Sequence, residues 1–224
     1  MREVVIDTET TGLSHKTGDR IIEVGCVELI NHVSTNNFLQ FYCKVDKEIS
    51  ETAQKITGIT NRFLIDKKSF EENSKELLSF IKNDPLIIHN ASFDIGFINN
   101  ELSLLGMPKI SNPVIDTVSL ARNVLNTRVA NLDYLCRRFK VDLSERNLHG
   151  ALLDSRLLAE VYLELRGGKQ FSMNLDKNKK TEHVAIKDGE NKKIKKFISE
   201  EEDVSRHKKM VTEIKDSVWK KYNY

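Results

Sequence analysis

Apolar residues fall along the chain in short runs and helical repeats that together outline a layered domain. Three runs rich in β-branched residues come first and predict an antiparallel meander. Later runs are separated by segments whose apolar residues recur at helical spacing, which predicts strands that alternate with helices. The predicted strands are 2–8, 20–30, 36–45, 85–89 and 114–116, and the predicted helices are 70–82, 92–105, 117–125, 131–139 and 149–166.

This order of elements predicts an α/β fold with a mixed sheet, because consecutive strands favour antiparallel pairing and strand–helix alternation favours parallel pairing. Ser92 is the expected N-cap of the second helix, and Gly167-Gly168 should end the last one. The length of 224 residues suffices for one domain with a full core and an additional segment.

The composition changes near the end of the last predicted helix. Residues 1–165 hold 19 basic and 23 acidic residues, whereas residues 166–224 hold 16 and 10, so the end of the chain is basic. Residues 174–196 are rich in lysine, asparagine and aspartate, which predicts a flexible linker. Apolar residues then return. The predicted organisation is a domain over 1–168, a linker over 169–196 and a further segment over 197–224.

The cysteines and the hydropathy indicate the compartment. Cys26, Cys43 and Cys136 are scattered without a C-x-x-C spacing, which favours free thiols in a reducing environment. No apolar run approaches the roughly 20 residues of a membrane span. A strand is predicted almost from Met1, so no signal peptide is expected. These features predict a soluble cytoplasmic protein.

Two carboxylates stand at the end of the first predicted strand. Asp7 and Glu9 follow Val4-Val5-Ile6 and are two residues apart, so the strand period places both on one face. Neighbouring carboxylates repel each other unless a cation lies between them, and Mg²⁺ or Mn²⁺ suits such oxygen pairs. Two solvated acids are the simpler interpretation, so a metal site depends on further ligands.

A third acid, Asp94, falls in the first turn of the helix that follows the strand ending at His89. If that strand neighbours the first one, Asp94 faces the same edge of the sheet as Asp7 and Glu9. An acid in a first helical turn also complements the helix dipole, so Asp94 has an alternative explanation that needs no metal.

The last long helix adds a fourth acid, Asp154, which lies among the leucines of its apolar stripe. A buried unpaired carboxylate costs several kcal/mol, so an inward Asp154 needs a cation or a donor. His149 precedes Asp154 by five residues. A lone histidine before a helix is usually a surface or capping residue, but a histidine beside a carboxylate suits a general base.

Asp7, Glu9, Asp94 and Asp154 can share one pocket only if cations join them. Two metal ions about 3.5–4 Å apart satisfy such a set and stabilise in-line attack on phosphorus. His149 would take the proton of the attacking water. The residues therefore predict phosphodiester hydrolysis with two divalent ions, Mg²⁺ or Mn²⁺.

Three segments together resemble the exonuclease motifs of the DEDDh 3′–5′ exonucleases: VVIDTETTGL, IIHNASFDIGF and LHGALLDSRLLAEVYLEL. Within that family, the chain resembles the proofreading subunits of bacterial replicative polymerases from residue 3 to about 170. The resemblance implies a ribonuclease H-like fold, a five-stranded mixed sheet flanked by helices, with a flexible C-terminal tail. It also implies direct metal binding by Asp7, Glu9 and Asp154, action of Asp94 on the second metal, and His149 as general base.

The resemblance also implies a pocket for the terminal nucleotide, next to Asp7, Glu9 and Asp154. Turn residues Thr10, Thr11, Gly12 and Leu13 match its lining, with Leu13 as a wedge under the base. Asn90 and Phe93 match positions of the second motif, with turn chemistry and core packing as alternative explanations. Thr57 stands where the family usually has histidine, and Thr52 where an acid is often found, so contacts to the terminal nucleotide are expected to differ here.

Two tail segments resemble partner-binding segments of the same proofreading subunits. Residues 170–175 resemble a sliding-clamp peptide with contacts from Gln170, Met173 and Leu175, although such short patterns are common in tails. Residues 197–224 resemble the segment that anchors such subunits to the polymerase catalytic subunit. Trp219, the only tryptophan, would be an interface anchor. The implied substrate is a single-stranded or frayed DNA 3′ end, and binding of a small accessory subunit stays open.

Three functions follow from these features. The first is a proofreading exonuclease within a replicase. The second is a free-standing DEDDh exonuclease acting on RNA or damaged DNA, against which the partner-like tail argues. The third is a non-catalytic replicase binding module, against which the presence of all four acids and His149 argues.

Overall fold

Five strands form one mixed sheet in the order β3-β2-β1-β4-β5. The first three pair antiparallel, and β4 and β5 run parallel to β1. This arrangement, seen in a computed structural model that describes residues 1–146, 148–167 and 201–214, confirms the predicted sheet. The strands are β1 Arg2–Thr10, β2 Ile21–Ile30, β3 Val33–Tyr42, β4 Leu86–Ile88 and β5 Val114–Asp116.

Helices cover both faces of this sheet. On one face, α3 and α4 contribute Phe70, Leu77, Phe97 and Leu102 to an apolar cluster with β1 and β2. On the other face, α5, α6 and α7 form a second cluster around Val5. The helices are α1 Glu51–Thr57, α2 Asn61–Leu64, α3 Phe70–Ile81, α4 Ala91–Leu104, α5 Thr117–Leu125, α6 Leu132–Phe139, α7 Ala151–Leu165 and α8 Glu201–Glu213.

The alternation of side chains along β1 positions the acids. Val4 and Ile6 belong to the cluster with α3 and α4, whereas Val5 belongs to the cluster with α7. Because the period of a strand is two, Asp7 and Glu9 continue the face of Val5 and lie on the α7 side. Their predicted placement on one face is confirmed, although both lie within β1, which extends two residues beyond the predicted end.

The third strand begins earlier than predicted. Asn31 and His32 both have positive φ, 52° and 68°, and connect β2 to β3 as a tight two-residue turn. The predicted start of this strand at residue 36 is therefore wrong, since β3 already begins at Val33. β3 is an edge strand, so polar residues such as Asn36 and Asn37 stay exposed within it. The first part of this strand therefore lacks the apolar pattern from which a strand is predicted.

Two helix starts also differ from the prediction. Asn90, not Ser92, is the N-cap of α4, with φ at 63°, because the chain turns sharply out of β4. The last helix begins at Ala151, which leaves His149 in the preceding loop. The short helices α1 and α2 were not predicted, since neither has a long apolar repeat.

The helix α8 belongs to a second unit of the chain. Its first turn is acidic, with Glu201, Glu202 and Asp203 at the end that favours negative charge. The predicted linker and the partner residues Gln170, Met173, Leu175 and Trp219 lie outside the described residues. Within the described part of the chain, the helices are too short or too polar to cross a membrane.

Candidate active site

The ends of β1 and β4 meet the beginnings of α4 and α7 around a pocket of about 330 Å³. Val5 of β1 lies opposite Ile87 of β4 in a parallel pair, so both strands end at the same edge of the sheet. The helix that follows β4 therefore begins beside the end of β1. All five predicted catalytic residues line this pocket: Asp7, Glu9, Asp94, His149 and Asp154.

The first turn of α7, which carries Asp154, packs directly on β2. A β-carbon built on Gly25 of β2 would stand 2.3 Å from the backbone of Ala151, so only glycine permits this approach. The Ser155 hydroxyl donates to the Gly25 carbonyl at 2.9 Å. Since Gly25 also pairs with Asp7, one residue sets the distance between the acid on the strand and the acid on the helix.

A carboxylate from the sheet lies beside the N-terminus of α7. The N-cap residue of this helix is Gly150, which has no side chain to accept a hydrogen bond. The carboxylate of Glu23, on β2, lies near the backbone N–H groups of Ala151 and Leu152, which act to lower its pKa against the effect of burial. A carboxylate at this end also complements the helix dipole. Glu23 therefore holds the helix start against the strand that pairs with β1.

Asp94 reaches the pocket from the α4 side. It is only 3% exposed and accepts a hydrogen bond from the Thr8 hydroxyl at 2.7 Å. Thr8 stands between Asp7 and Glu9 along β1, so its side chain lies on the opposite face of the strand from theirs. Its hydrogen bond to Asp94 therefore joins α4 to the end of β1. An acid that only complements the helix dipole has to lie near the helix start but does not have to be buried. The dipole alone therefore does not explain the burial of Asp94.

Burial and mutual repulsion raise the pKa of three of these acids. Burial, followed by repulsion from Asp94 and Glu9, holds the pKa of Asp7 well above its ordinary value. Burial, with repulsion from Asp154 next, raises the pKa of Glu9 to about 8. The pKa of Asp94 is raised to about 7, mainly by burial. A bound cation would offset both causes, so this cluster favours cation binding.

Asp154 is paired with Arg146, a residue that the predicted site lacked. The guanidinium donates from Nε to Oδ1 at 2.6 Å and from Nη2 to Oδ2 at 2.8 Å, which makes a bidentate fork. It also contacts the Asp133 carboxylate through Nη1, and Nη2 lies 2.9 Å from Nδ1 of His149. The hydrogen bond to Asp154 is the main cause that raises the pKa of Arg146.

His149 stands half-exposed at the mouth of the pocket, with Nδ1 3.1 Å from Oδ2 of Asp154. This is the carboxylate neighbour that a general base needs. The backbone N–H of His149 donates to the Ile56 carbonyl of α1 at 3.0 Å. The adjacent Leu148 side chain lies against Gly58, just after α1. The loop that carries His149 is therefore docked on the end of α1.

Gly58→Ala should disturb this docking. The new methyl group would stand 2.6 Å from Cδ1 of Leu148, and the positive φ of 72° adds strain of about 1–2 kcal/mol. We expect a loss of stability and a fall in kcat of only about two- to threefold, because the half-exposed Leu148 side chain can rotate away from the new methyl group and passes on only part of the displacement to His149. Thermal unfolding and steady-state nuclease assays measure the two effects.

Gly106→Ala is the matched control for this substitution. Gly106 also has a positive φ, 66°, but a β-carbon there meets nothing within 4 Å. It should therefore lower stability through the same backbone strain and leave kcat unchanged. Equal kcat values in the two variants would contradict the role assigned to the loop docking.

The donor atoms of the pocket fit divalent ions. One ligand atom from each of Glu9, His149 and Asp154 lies within 4.8 Å of the other two. Together with the carboxylates of Asp7 and Asp94, the set is dominated by oxygen, which suits hard ions such as Mg²⁺ and Mn²⁺. The fork from Arg146 indicates that Asp154 already lies where a positive charge is favourable.

Two of the residues predicted to hold the terminal nucleotide line this pocket. Asn90 is exposed at the N-cap of α4, and Phe93 follows in the first turn. Phe93 also packs on Phe97, with ring centroids 4.8 Å apart. Phe93 therefore packs against a core residue, as the alternative explanation predicted, and it also lines the pocket.

The turn from Thr10 to Leu13 lies outside the lining of this pocket. The Thr10 hydroxyl donates to the Gly12 carbonyl at 2.6 Å, and the Thr11 hydroxyl donates to Asp19 at 3.1 Å. Both hydroxyls thus stabilise the turn itself. Leu13 is 88% exposed, which leaves its side chain accessible to a base.

The two threonines that depart from the family pattern both belong to α1. The Thr57 hydroxyl donates to the Ala53 carbonyl at 2.9 Å and accepts from the Ile59 N–H at 3.1 Å. It is buried and closes the helix, away from the pocket lining. Thr52 is exposed in the first turn of α1. Their contacts with a nucleotide stay a prediction.

Several lining residues were missing from the prediction, among them Arg146, Asp133 and His89. His89 directly follows β4, and its Nδ1 lies 2.9 Å from the Thr117 hydroxyl. Burial lowers the pKa of His89. The one signal for His89 was its place before Asn90 in the second motif. Arg146 had a weaker signal, a basic residue three positions before His149.

Comparison with known proteins gives the same assignment. The RNase_T exonuclease family matches residues 4–162. The DNA polymerase III subunit epsilon of Rickettsia felis is 42% identical over 222 residues, which cover 96% of this chain and 97% of that protein. The subunit of the same name from Escherichia coli strain K12 is 43% identical over 176 residues, which cover 75% of this chain and 72% of that protein.

Among solved structures, exonuclease X in complex with 5′-overhanging duplex DNA is similar to this chain. The TM-score is 0.59 at 25% identity, and the match covers 73% of this chain and 90% of that chain. The predicted exonuclease fold, the predicted family and the class of enzyme are thereby confirmed. The chain belongs to the RNase T exonuclease family, among the DNA polymerase III epsilon subunits.

Proposed function

We propose that this protein is the 3′–5′ proofreading exonuclease of a replicative DNA polymerase, which removes mispaired 3′-terminal nucleotides as 5′-monophosphates. The observation that carries the proposal is the meeting of Asp7, Glu9, Asp94, Asp154 and His149 in one pocket. These residues come from three distant parts of the sequence, and acid–base hydrolysis of a phosphodiester accounts for all of them. Membership among epsilon subunits supports the same activity.

Two divalent ions, Mg²⁺ or Mn²⁺, would bind in this pocket. Asp7, Glu9 and Asp154 would be direct ligands, and Asp94 would hold the second ion. Thr8 supports this assignment for Asp94, because its hydroxyl orients the carboxylate. When bound, the ions supply positive charge that stabilises the attacking and leaving oxygens.

His149 would act as the general base and take a proton from the attacking water. Its position at the mouth of the pocket allows proton exchange with solvent, while Asp154 at 3.1 Å orients the ring. Asn90, Phe93 and the turn from Thr10 to Leu13 would hold the terminal nucleotide. An end that is already unpaired would enter more readily, since mismatches lower the cost of unpairing.

The metal-free protein should lose stability as the pH rises from about 6.5 to 8. The folded-state pKa values of Glu9, about 8, and Asp94, about 7, lie above their unfolded values of 4.5 and 3.8. The folded chain therefore binds more protons than the unfolded chain in this window, so unfolding becomes easier as the pH rises. His89, whose pKa is lowered, acts in the opposite sense but only below about 6.5.

Measurements of the melting temperature at pH 6.5 and at pH 8, in EDTA and in Mg²⁺, test this prediction of a pH-dependent loss of stability. Mg²⁺ should remove the loss, because it binds the deprotonated carboxylates. A melting temperature in EDTA that stays constant or rises between pH 6.5 and 8 would contradict the prediction.

Digestion of a primer with a mismatched 3′ end tests the proposed activity. Wild-type protein with Mg²⁺ should release mononucleotides, and His149→Ala should slow release by roughly 10²–10⁴-fold, the usual contribution of a general base. An RNA strand of the same sequence should be a poorer substrate. Preference for RNA would favour the free-standing exonuclease, and an inactive wild type would favour the non-catalytic binding module.

The end of the chain would bind the polymerase catalytic subunit through 197–224, with Trp219 as anchor, and the sliding clamp through Gln170, Met173 and Leu175. The support is that the Rickettsia felis epsilon subunit matches 96% of this chain, far beyond the exonuclease family match. Deletion of 197–224 should abolish polymerase binding and leave exonuclease activity intact. Unchanged binding after the deletion would refute this assignment.

A further inference from the structure

Arg146 is the one lysine or arginine among the residues described as lining the pocket. Its side chain is only 8% exposed, although it comes from a loop. Its guanidinium contacts Asp154, Asp133 and His149 at the same time. No predicted step of hydrolysis uses this residue, so its burial among the acids needs another explanation.

The fork from Arg146 engages both oxygens of Asp154. A divalent ion bound by Asp154 requires at least one of these oxygens and adds positive charge beside the guanidinium. The ion and the intact fork therefore compete, because like charges repel at this distance. The contact with Asp133 gives the guanidinium a second anion, whose side chain is 46% exposed and lies toward the solvent side.

From this geometry we propose that Arg146 is an internal cation that holds Asp154 in place before metal binds and yields it to the incoming ion while keeping Asp133. Arg146 is thus a positioning residue. It prevents an unpaired buried charge at Asp154, which would otherwise destabilise the metal-free pocket. The inference depends on the proposed function, since it assumes that divalent ions bind at Asp154.

The test compares wild type with Arg146→Gln in the full chain. Without metal, the variant should melt at a lower temperature, because the buried Asp154 loses its partner. Free Mn²⁺, measured by electron paramagnetic resonance, should show binding at least about threefold tighter in the variant, since no fork has to be displaced. Arg146→Lys keeps the charge without the fork and should fall between the two proteins.

Arg156→Gln is the matched control. Arg156 lies on α7 two residues after Asp154, but its guanidinium stands over the Phe38 ring at 5.1 Å. This variant loses the same charge nearby and should bind Mn²⁺ almost as wild type does. Equal tightening in both variants would attribute the effect to net charge and overturn the proposal.

Weaker Mn²⁺ binding by Arg146→Gln would also overturn the proposal, since Arg146 would then favour binding of the ion. Unchanged binding would overturn it as well, since Arg146 would then have no effect on the ion. If Arg146→Gln does not fold, the Arg146→Lys measurement decides alone, and unchanged affinity overturns the proposal. Absence of Mn²⁺ binding by wild type would instead refute the proposed metal site itself. The two failures are therefore distinguishable.

Discussion

Gly25→Ala should abolish most of the nuclease activity and destabilise the fold. The new β-carbon would meet the backbone of Ala151 and Leu152 at 2.3 Å, and backbone atoms cannot rotate away as a side chain can. The first turn of α7 would move outward with Asp154, whereas Asp7 would stay on β1. We expect kcat/KM to fall roughly 100-fold or more, since a displacement of about 1 Å has this effect. Overpacking should lower the free energy of unfolding by about 1–3 kcal/mol or more.

Gly150→Ala provides the control at the same helix start. Gly150 has an extended φ of −151°, which any residue adopts, and the nearest atom to a new β-carbon is Glu23 Oε2 at 3.9 Å. The activity of the Gly150→Ala variant should stay within about threefold of wild type, because the position of Asp154 is unchanged. Steady-state digestion and thermal unfolding in Mg²⁺ compare the variants. Near-normal activity of Gly25→Ala would show that the close approach of α7 to β2 is not needed.

Asp7→Asn should have opposite effects on catalysis and on metal-free stability. Activity should fall roughly 10³-fold or more, because the loss of a proposed metal ligand would remove several kcal/mol of transition-state stabilisation. Without metal, however, the variant should melt at a higher temperature. The pKa of Asp7 is raised by burial and by repulsion from Asp94 and Glu9, so a neutral amide relieves both costs. Each kcal/mol relieved raises the melting temperature by roughly 2–4 °C for a chain of this size.

Glu3→Gln is the matched substitution at the other end of the same strand. Glu3 is fully buried, but its carboxylate accepts from the Tyr162 hydroxyl at 2.9 Å and lies 2.6 Å from Nδ1 of His32. This acid is satisfied, so its replacement should lower the melting temperature and leave activity intact. Melting in EDTA and digestion in Mg²⁺ separate the two cases. A lower metal-free melting temperature for Asp7→Asn would contradict the repulsion described in the pocket.

The acids could be predicted from the sequence because their placement follows from local geometry. Spacing alone puts Asp7 and Glu9 on one face of a strand, and an apolar stripe alone turns Asp154 inward. Asp94 needed one further assumption, that its strand neighbours the first, and the parallel pairing of β1 with β4 confirms it.

The supporting contacts could not be predicted, since they join residues that are far apart in the sequence. Ser155 and Gly25 are separated by 130 positions, and no local pattern links a glycine in a strand to a distant helix. Glu23 resembled any acid on a strand until the N-terminus of α7 was placed against it. Arg146 lies in a loop without periodicity, so its inward direction is visible only in three dimensions.

The short helix α1 supports the loop that carries His149, although the two are far apart in the sequence. The Ile56 carbonyl accepts a hydrogen bond from the backbone N–H of His149, and the Leu148 side chain lies against Gly58, just after the helix. A displacement of α1 would therefore be passed through these two contacts to His149 at the mouth of the pocket. Substitutions in α1, which contributes no residue to the pocket lining, can thus alter the active site from outside it.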